Sequence, residues 1–334
     1  MLQILSQGRG SADAIRQRRR NSSNQLTIFP VFPQKTPSNE EIINYYVFSK
    51  LDYRLYNGSL DDLSMHYGIW DQTTSTHRQA LANENRVIAN IARIQRDDHV
   101  IDLGCGYGTT AVWLALNIGC RVTGITLSTD QVLHARRLAQ KRGVERLVNF
   151  RIMDFHRAQF KDCMFDAAIS IESICHSSKK LNALNEAWRI LKPAGRLAIA
   201  DAYFAKRAKT LTQQERQIAE TCFAGVHIPP LPEREQFEDW LISAGFTKID
   251  WRDKTHCILP TAKRVNRLGR ILLPISRVLS TFGVRSLQKT HMEAFISQYD
   301  AFRSGLGVYG IFLAVKPPTA GSRAHSVDQS LQYA

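Results

Sequence analysis

No CxxC pair occurs among the six cysteines, Cys105, Cys120, Cys163, Cys175, Cys222 and Cys257. That scatter excludes a disulfide framework and a cysteine-ligated zinc site, and it suits a reduced compartment. No run of about 18 apolar residues is present, so no transmembrane helix is expected. No glycine-rich stretch ends in GKS or GKT, which rules out a phosphate-cradling P-loop. Acids are scarce: 30 Asp and Glu stand against 44 Lys and Arg, a net charge of +14. Such a balance favours anionic partners, whether nucleic acid, a membrane surface or a phosphorylated small molecule.

What is present is enough for a folded core: 334 residues, 44% of them hydrophobic. The positive charge is uneven. Residues 1–38 carry Arg9, Arg16, Arg18, Arg19, Arg20 and Lys35 against Asp13 alone, and residues 248–289 carry ten Lys and Arg against Asp250 and Asp253. The first segment, rich in Arg and Ser, reads as a disordered basic tail with an organelle address as the alternative. Without that address the chain is expected in the cytoplasm. Residues 319–334 also read as a disordered tail.

Between the tails, strand and helix signals alternate. "DHVIDLG" (98–104), "CRVTGIT" (120–126), "VNFRIMD" (148–154), "FDAAISIE" (165–172) and "GRLAIADAY" (195–203) read as buried strands. Helical stretches lie at 109–117, at 129–142 after Ser128 as N-cap, and at 181–191. Apolar strands alternating with helices mean a parallel sheet covered on both faces. Helices at 210–225 and 233–244 follow, then closing strands "TKIDW" (247–251) and "YGIFLAV" (309–315). This predicts an α/β, Rossmann-like, mostly parallel seven-stranded sheet. The expected organisation is a helical lid over 39–96 and a main domain over 97–318. That domain divides into a cofactor half, 97–202, and a helical substrate cap at about 255–300.

"VIDLGCGYGTTAVWLA" (100–115) is a strand, a glycine turn and a helix start. Gly104, Gly106 and Gly108 let the backbone turn sharply and let a ligand approach the peptide groups. Asp102, just before them, is placed to accept bonds from a cationic or hydroxyl-rich ligand. The GxGxG spacing differs from the GxGxxG of dinucleotide sites.

The whole constellation resembles class I S-adenosylmethionine-dependent methyltransferases, whose first motif is E/D-x-G-x-G-x-G. The likeness covers roughly residues 40–318 and is strongest over 97–202. It implies S-adenosylmethionine as cofactor. "MDF" (153–155) matches the third-strand acid near the adenine, pointing to Asp154 and Phe155. "ILKPAGRLAIAD" (190–201) matches the "LKPGG" turn, with Ala194 in place of a glycine. The second strand lacks the usual ribose-binding acid. It ends "GITLSTDQV" (124–132), as in the branch holding gamma-tocopherol, sterol and cyclopropane-forming enzymes. There the ribose role falls to Thr126, Leu127 and Gln131. Asp130 is expected to help start the helix.

A second resemblance concerns the acceptor. "YYVFSKLDYRLYNGSLDDLSMHYGIWD" (45–71) is similar to the tyrosine-rich segment ending "HxGYW" of tocopherol and sterol methyltransferases. "SIESICHS" (170–177) is similar to the sterol enzymes' "AIEATCHA", and 261–316 to the tocopherol branch. The resemblance implies C-methylation of a small hydrophobic isoprenoid-type acceptor. A prenyl diphosphate is favoured, and a sterol or tocopherol-like molecule is kept. A divalent metal such as magnesium would enter only through a diphosphate, with no metal site of the protein's own. Glu172 is the expected base, ionised at neutral pH, with His176 in reserve. His66 and Tyr67 are placed nearest sulfur and acceptor, Ile171 beside the cofactor, and Tyr46 with the other aromatics around a carbocation. Lys263, Arg264 and Arg267 of the cap would meet a diphosphate or a membrane, or form a solvated face. N- or O-methylation of a small aromatic natural product is the alternative, and a cofactor-binding module without catalysis is the reading from another class. No nucleic-acid partner is expected, because the proline motif of base methylases is absent after Glu172. Homo-oligomer formation is left open.

Overall fold

The computed structural model describes residues 36–57, 63–283 and 288–318. The expected tails at 1–38 and 319–334 lie outside these, except for 36–38. Seven strands form one sheet: β1 (His99–Leu103), β2 (Arg121–Thr126), β3 (Val148–Ile152), β4 (Phe165–Ile171), β5 (Leu191–Phe204), β6 (Thr247–Asp253) and β7 (Gly307–Val315). Their order is β3-β2-β1-β4-β5-β7-β6. β1 to β5 are parallel, and β7 runs antiparallel to both β5 and β6. The order reverses beside β1, which pairs with β2 on one side and β4 on the other. In open α/β sheets the crevice at such a reversal, outside the carboxyl ends of the strands, is where ligands bind.

The helices are α1 (Asn39–Phe48), α2 (Lys50–Asn57), α3 (His77–Ile91), α4 (Thr109–Asn117), α5 (Thr129–Arg142), α6 (Lys180–Ile190), α7 (Gln213–Val226), α8 (Arg234–Ser243), α9 (Thr255–Thr281) and α10 (Lys289–Arg303). Local chemistry sets several of their ends. Ser38 and Glu41 form a capping box at α1, each side chain accepting from the other's backbone N–H. Ser128 caps α5 and Gly143 ends it in the left-handed region at φ 68°.

Two differences from the sequence reading bear on the site. The segment 39–96 is not one lid. Residues 63–76 cross it without helix, their backbone satisfied from elsewhere: Ile69 N–H donates to Ala80 O and Trp70 N–H to Cys257 O. α3 belongs to the body, because Ile88 and Ala89 pack in the same core cluster as Ala111, Val112, Ala198 and Ala200. The fifth strand also begins earlier than expected, at Leu191. Ala194, where the resemblance has glycine, sits at φ 62° beside a register shift between β4 and β5.

Candidate active site

Two cavities meet at the carboxyl ends of β1 and β4. The first lies against the glycine turn and is lined by Asp102, Gly104, Gly106, Thr126, Leu127, Gln131, Asp154, Phe155 and Ile171. The second lies under α1, α2, α7, α9 and α10 and is mostly aromatic and aliphatic. Tyr46, Met65, His66, Glu172 and His176 line both. Tyr67 lines the second only, and Gly108 lines neither. Gly108 instead serves packing at φ 80°, where a Cβ would sit 2.6 Å from the Ala135 Cβ.

The first cavity is shaped by backbone. Gly104 and Gly106 take φ 84° and 51°, conformations that other residues adopt only with strain. Asp102, 2% exposed, leaves its Oδ2 without a partner. Burial pushes its carboxyl up to about 7, against the lowering charge of His66. Thr126 donates its hydroxyl to Gln131 Oε1 and holds that side chain at the rim. Asp154 accepts from the His156 backbone at 2.8 Å, from His156 Nδ1 at 2.6 Å and from Asn39 Nδ2 at 3.2 Å. Burial raises Asp154, but these bonds outweigh it and hold the carboxyl below its usual range. Asp130 does more than start α5: its carboxylate takes Lys50 Nζ at 2.8 Å, tying α2 to the body.

At the junction Glu172 closes β4 in the left-handed region, φ 47°, a conformation rare for a non-glycine and concentrated at functional sites. Its Oε1 lies 2.6 Å from the Tyr67 N–H and 3.0 Å from the Tyr309 hydroxyl. The same hydroxyl lies 2.6 Å from Oε1 of Glu84, whose Oε2 is 2.6 Å from His66 Nδ1. One hydroxyl proton cannot serve two carboxylates. The shorter contact gives it to Glu84, and the longer contact to Glu172 Oε1, which also accepts the Tyr67 N–H, is the weaker branch. Burial and then the charge of Glu84 push the Glu172 carboxyl well up from the ordinary carboxylate range. Burial and the neighbouring charge thus oppose the free carboxylate expected at neutral pH. Burial lowers His66, but the charge and hydrogen bond of Glu84 overcome this and raise it to about 9. His66 is thus an imidazolium, 6% exposed, with Nε2 unpartnered.

His176 behaves oppositely. Burial lowers it to about 4, so the ring is neutral at pH 7. Nδ1 donates to His227 O at 3.3 Å, which leaves Nε2 to accept the Tyr46 hydroxyl at 2.6 Å. The turn carrying it is pinned by Asp201, which accepts the Cys175 N–H at 2.9 Å, and by Lys180, whose Nζ donates to Ser177 O at 2.7 Å.

The sequence reading missed Glu84, Tyr309, His156 and Ser177, whose hydroxyl lies 2.6 Å from His156 Nε2. Only the i, i+2 spacing of Asp154 and His156 could have drawn attention beforehand. The cap arginines are not where a diphosphate would need them. Lys263, Arg264 and Arg267 are exposed, and among the described residues no Lys or Arg lines the second cavity.

Comparison with known proteins gives this architecture its class. A family described as a methyltransferase domain matches residues 101–199. An O-methyltransferase of Aspergillus sclerotiorum, resE, is 27% identical, covering 69% of this chain and 90% of that one. A sterol 24-C-methyltransferase of Eremothecium gossypii is 28% identical, over 62% of this chain and 54% of its own. Geranyl diphosphate C-methyltransferase from Streptomyces coelicolor, solved with Mg2+, geranyl diphosphate and S-adenosyl-L-homocysteine, superposes with a TM-score of 0.63 at 19% identity. That match spans 85% of this chain and 100% of the other. The fold is the Rossmann-like fold of class I methyltransferases. The chain itself is an S-adenosylmethionine-dependent methyltransferase.

Proposed function

We propose that the first cavity holds S-adenosylmethionine and that the second takes a neutral, apolar acceptor of isoprenoid type, methylated at carbon with Glu172 as base. The cofactor fits the residues present. The orphaned Asp102 Oδ2 suits a cationic or hydroxyl group. At Gly106 the turn has room for a ligand but little for a side chain, since a Cβ would lie 3.1 Å from Met65 Cε. When bound, the cofactor supplies a methyl group already activated on a sulfonium.

The protein's own residues supply alignment and charge. The observation that carries the reading is the lining of the second cavity: Tyr45, Tyr46, Tyr53, Tyr56, Tyr67, Phe223 and Phe302 share it with the carboxyl groups of Asp201 and Glu172, of which Glu172 also faces the first cavity. Aromatic faces stabilise a tertiary carbocation by about 0.5–2 kcal/mol each and exclude water. Glu172 takes the proton that such a cation must shed. A positive charge in the first cavity favours its ionised form, so the base becomes competent when the cofactor site is filled. The absence of Lys and Arg from the described lining argues against the prenyl diphosphate favoured from sequence, and with it against a diphosphate-borne magnesium.

A second reading is O-methylation of a small natural product, favoured by the neutral His176 at the junction. One experiment separates the two. The protein is incubated with methyl-labelled cofactor and a panel of a prenyl diphosphate, a sterol, a tocopherol-like phenol and an indole, and products are analysed by mass spectrometry. Label on carbon of a neutral acceptor is expected. Label on oxygen establishes the second reading, and methylation of the diphosphate alone overturns the neutral acceptor.

The cofactor assignment yields two expected results. Gly106→Val strains a backbone at φ 51° and projects a side chain toward Met65. Calorimetry should show affinity for S-adenosylmethionine reduced at least about a hundredfold, with circular dichroism unchanged; left-handed strain alone costs of order 1–3 kcal/mol. Unchanged affinity would remove the ligand from this turn. Asp102 provides the second. Burial pushes its carboxyl up to about 7, and it must ionise to meet a cation. Affinity should therefore weaken about tenfold for each pH unit below 7 and level off above it. Asp102→Asn should abolish that slope; a variant that keeps it would show the proton belongs to another group.

A further inference from the structure

The C-terminal part of α9 is built as a surface-binding element, and the methyl-transfer site makes no use of it. Ile271, Ile275, Val278 and Phe282 are 69, 49, 57 and 79% exposed. Their spacing of four, three and four places them in one row along the helix and the turn that ends it. A soluble surface leaves single apolar side chains exposed, but a continuous row of large ones marks an interaction site.

The same helix carries Lys263, Arg264, Arg267, Arg270 and Arg277, all exposed, and not one Asp or Glu from Thr255 to Thr281. Arg264 donates from Nε to Tyr56 O at 3.1 Å and Arg270 from Nε to Asn266 Oδ1 at 3.0 Å, which leaves their remaining guanidinium nitrogens and the other cations for the surface. The inner side of the helix is already occupied. Val265 packs with Tyr56, Met292 and Phe295, and both Val265 and Phe295 line the acceptor cavity. The outer row therefore has no partner within the described residues, while the inner side touches the compartment for an apolar molecule.

We propose that α9 is an interfacial anchor that seats the enzyme on an anionic lipid bilayer. Ile271, Ile275, Val278 and Phe282 enter the boundary of the acyl chains, and the flanking arginines meet headgroup phosphates. Charge complementarity selects this occupant. A nucleic acid would use the arginines and leave the apolar row in water, whereas a bilayer satisfies both. Seating by α9 also brings the acceptor cavity, walled by the same helix, next to the phase in which apolar acceptors dissolve.

The test is co-sedimentation of the full chain with vesicles of phosphatidylcholine alone and of phosphatidylcholine mixed with phosphatidylserine. Binding is expected on the anionic vesicles, weakened by salt. Two double variants separate the contributions, each at exposed positions outside both cavities. Arg270→Gln with Arg277→Gln should weaken anionic-vesicle binding about thirtyfold, since each cation near the surface is worth about fivefold. Ile275→Ser with Val278→Ser should weaken it at least about tenfold at every salt concentration. The proposal is overturned if the wild-type chain stays with the supernatant, or if the serine variant binds as the wild type does. It is also overturned if light scattering shows that the row holds two copies together while vesicles are ignored.

Discussion

Glu172→Gln lowers turnover by roughly a hundredfold or more while cofactor affinity stays near that of the wild type. Glutamine has the shape of the protonated acid, the form that burial favours. Its amide oxygen can stand in the place of Oε1 and accept the Tyr67 N–H beside the Tyr309 hydroxyl, so these contacts are kept. What it cannot do is ionise. The fold, the φ of 47° and the melting temperature should all survive. The proton-accepting step alone should fail. The pH profile of turnover is the sharper readout. Wild-type activity should rise with pH as the raised carboxyl of Glu172 ionises, and the variant should lack that limb. Normal turnover in Glu172→Gln would make the residue structural and shift weight to O- or N-methylation, with His176 as the group beside the acceptor.

The framework of this site was legible because it is written in contiguous residues. Buried runs such as "AAISI" specify parallel strands, and Gly104 and Gly106 sit where only permissive residues suit the turn. The placement of Thr126, Gln131 and Asp154 beside that turn follows from the strand ends. The Glu172 environment was not legible, because its determinants lie far apart in the chain. Tyr309 reaches Glu84 across 225 positions and Glu172 across 137. Nothing in "LANENRV" distinguishes Glu84 from an ordinary helix surface residue, yet it is 0% exposed. A carboxyl's ionisation depends on which charges the fold brings beside it, so composition at Glu172 alone suggested a free carboxylate. The arginines of α9 show the same limit. Their amphipathic spacing identified a helix, but which side faces the cavity was decided by packing of Val265 against Tyr56 and Phe295.

Glu84→Ala should be the most destabilising single change at the site, about 3–5 kcal/mol, because it leaves one member of a buried ion pair alone. The His66 imidazolium loses its partner at 2.6 Å, and the Tyr309 hydroxyl loses its shortest acceptor. Glu84→Gln tests the charge with little change of volume. The sign with pH follows from His66. Its folded value of about 9 lies above the ordinary 6.5, so the pair contributes fully below pH 6.5 and is lost as pH rises through 9. The shift corresponds to something on the order of 3 kcal/mol, in line with the cost of breaking the pair. Urea unfolding at several pH values should show wild type and Glu84→Gln furthest apart at pH 6 and converging toward pH 9. Activity should respond too: with the Glu84 charge removed, Glu172 ionises at lower pH, and the rising limb of the turnover profile moves to the acid side. A stability difference independent of pH would mean that Glu84 and His66 share a hydrogen bond without a charge. A turnover profile unmoved by Glu84→Gln would mean that Glu172 takes its raised value from burial alone.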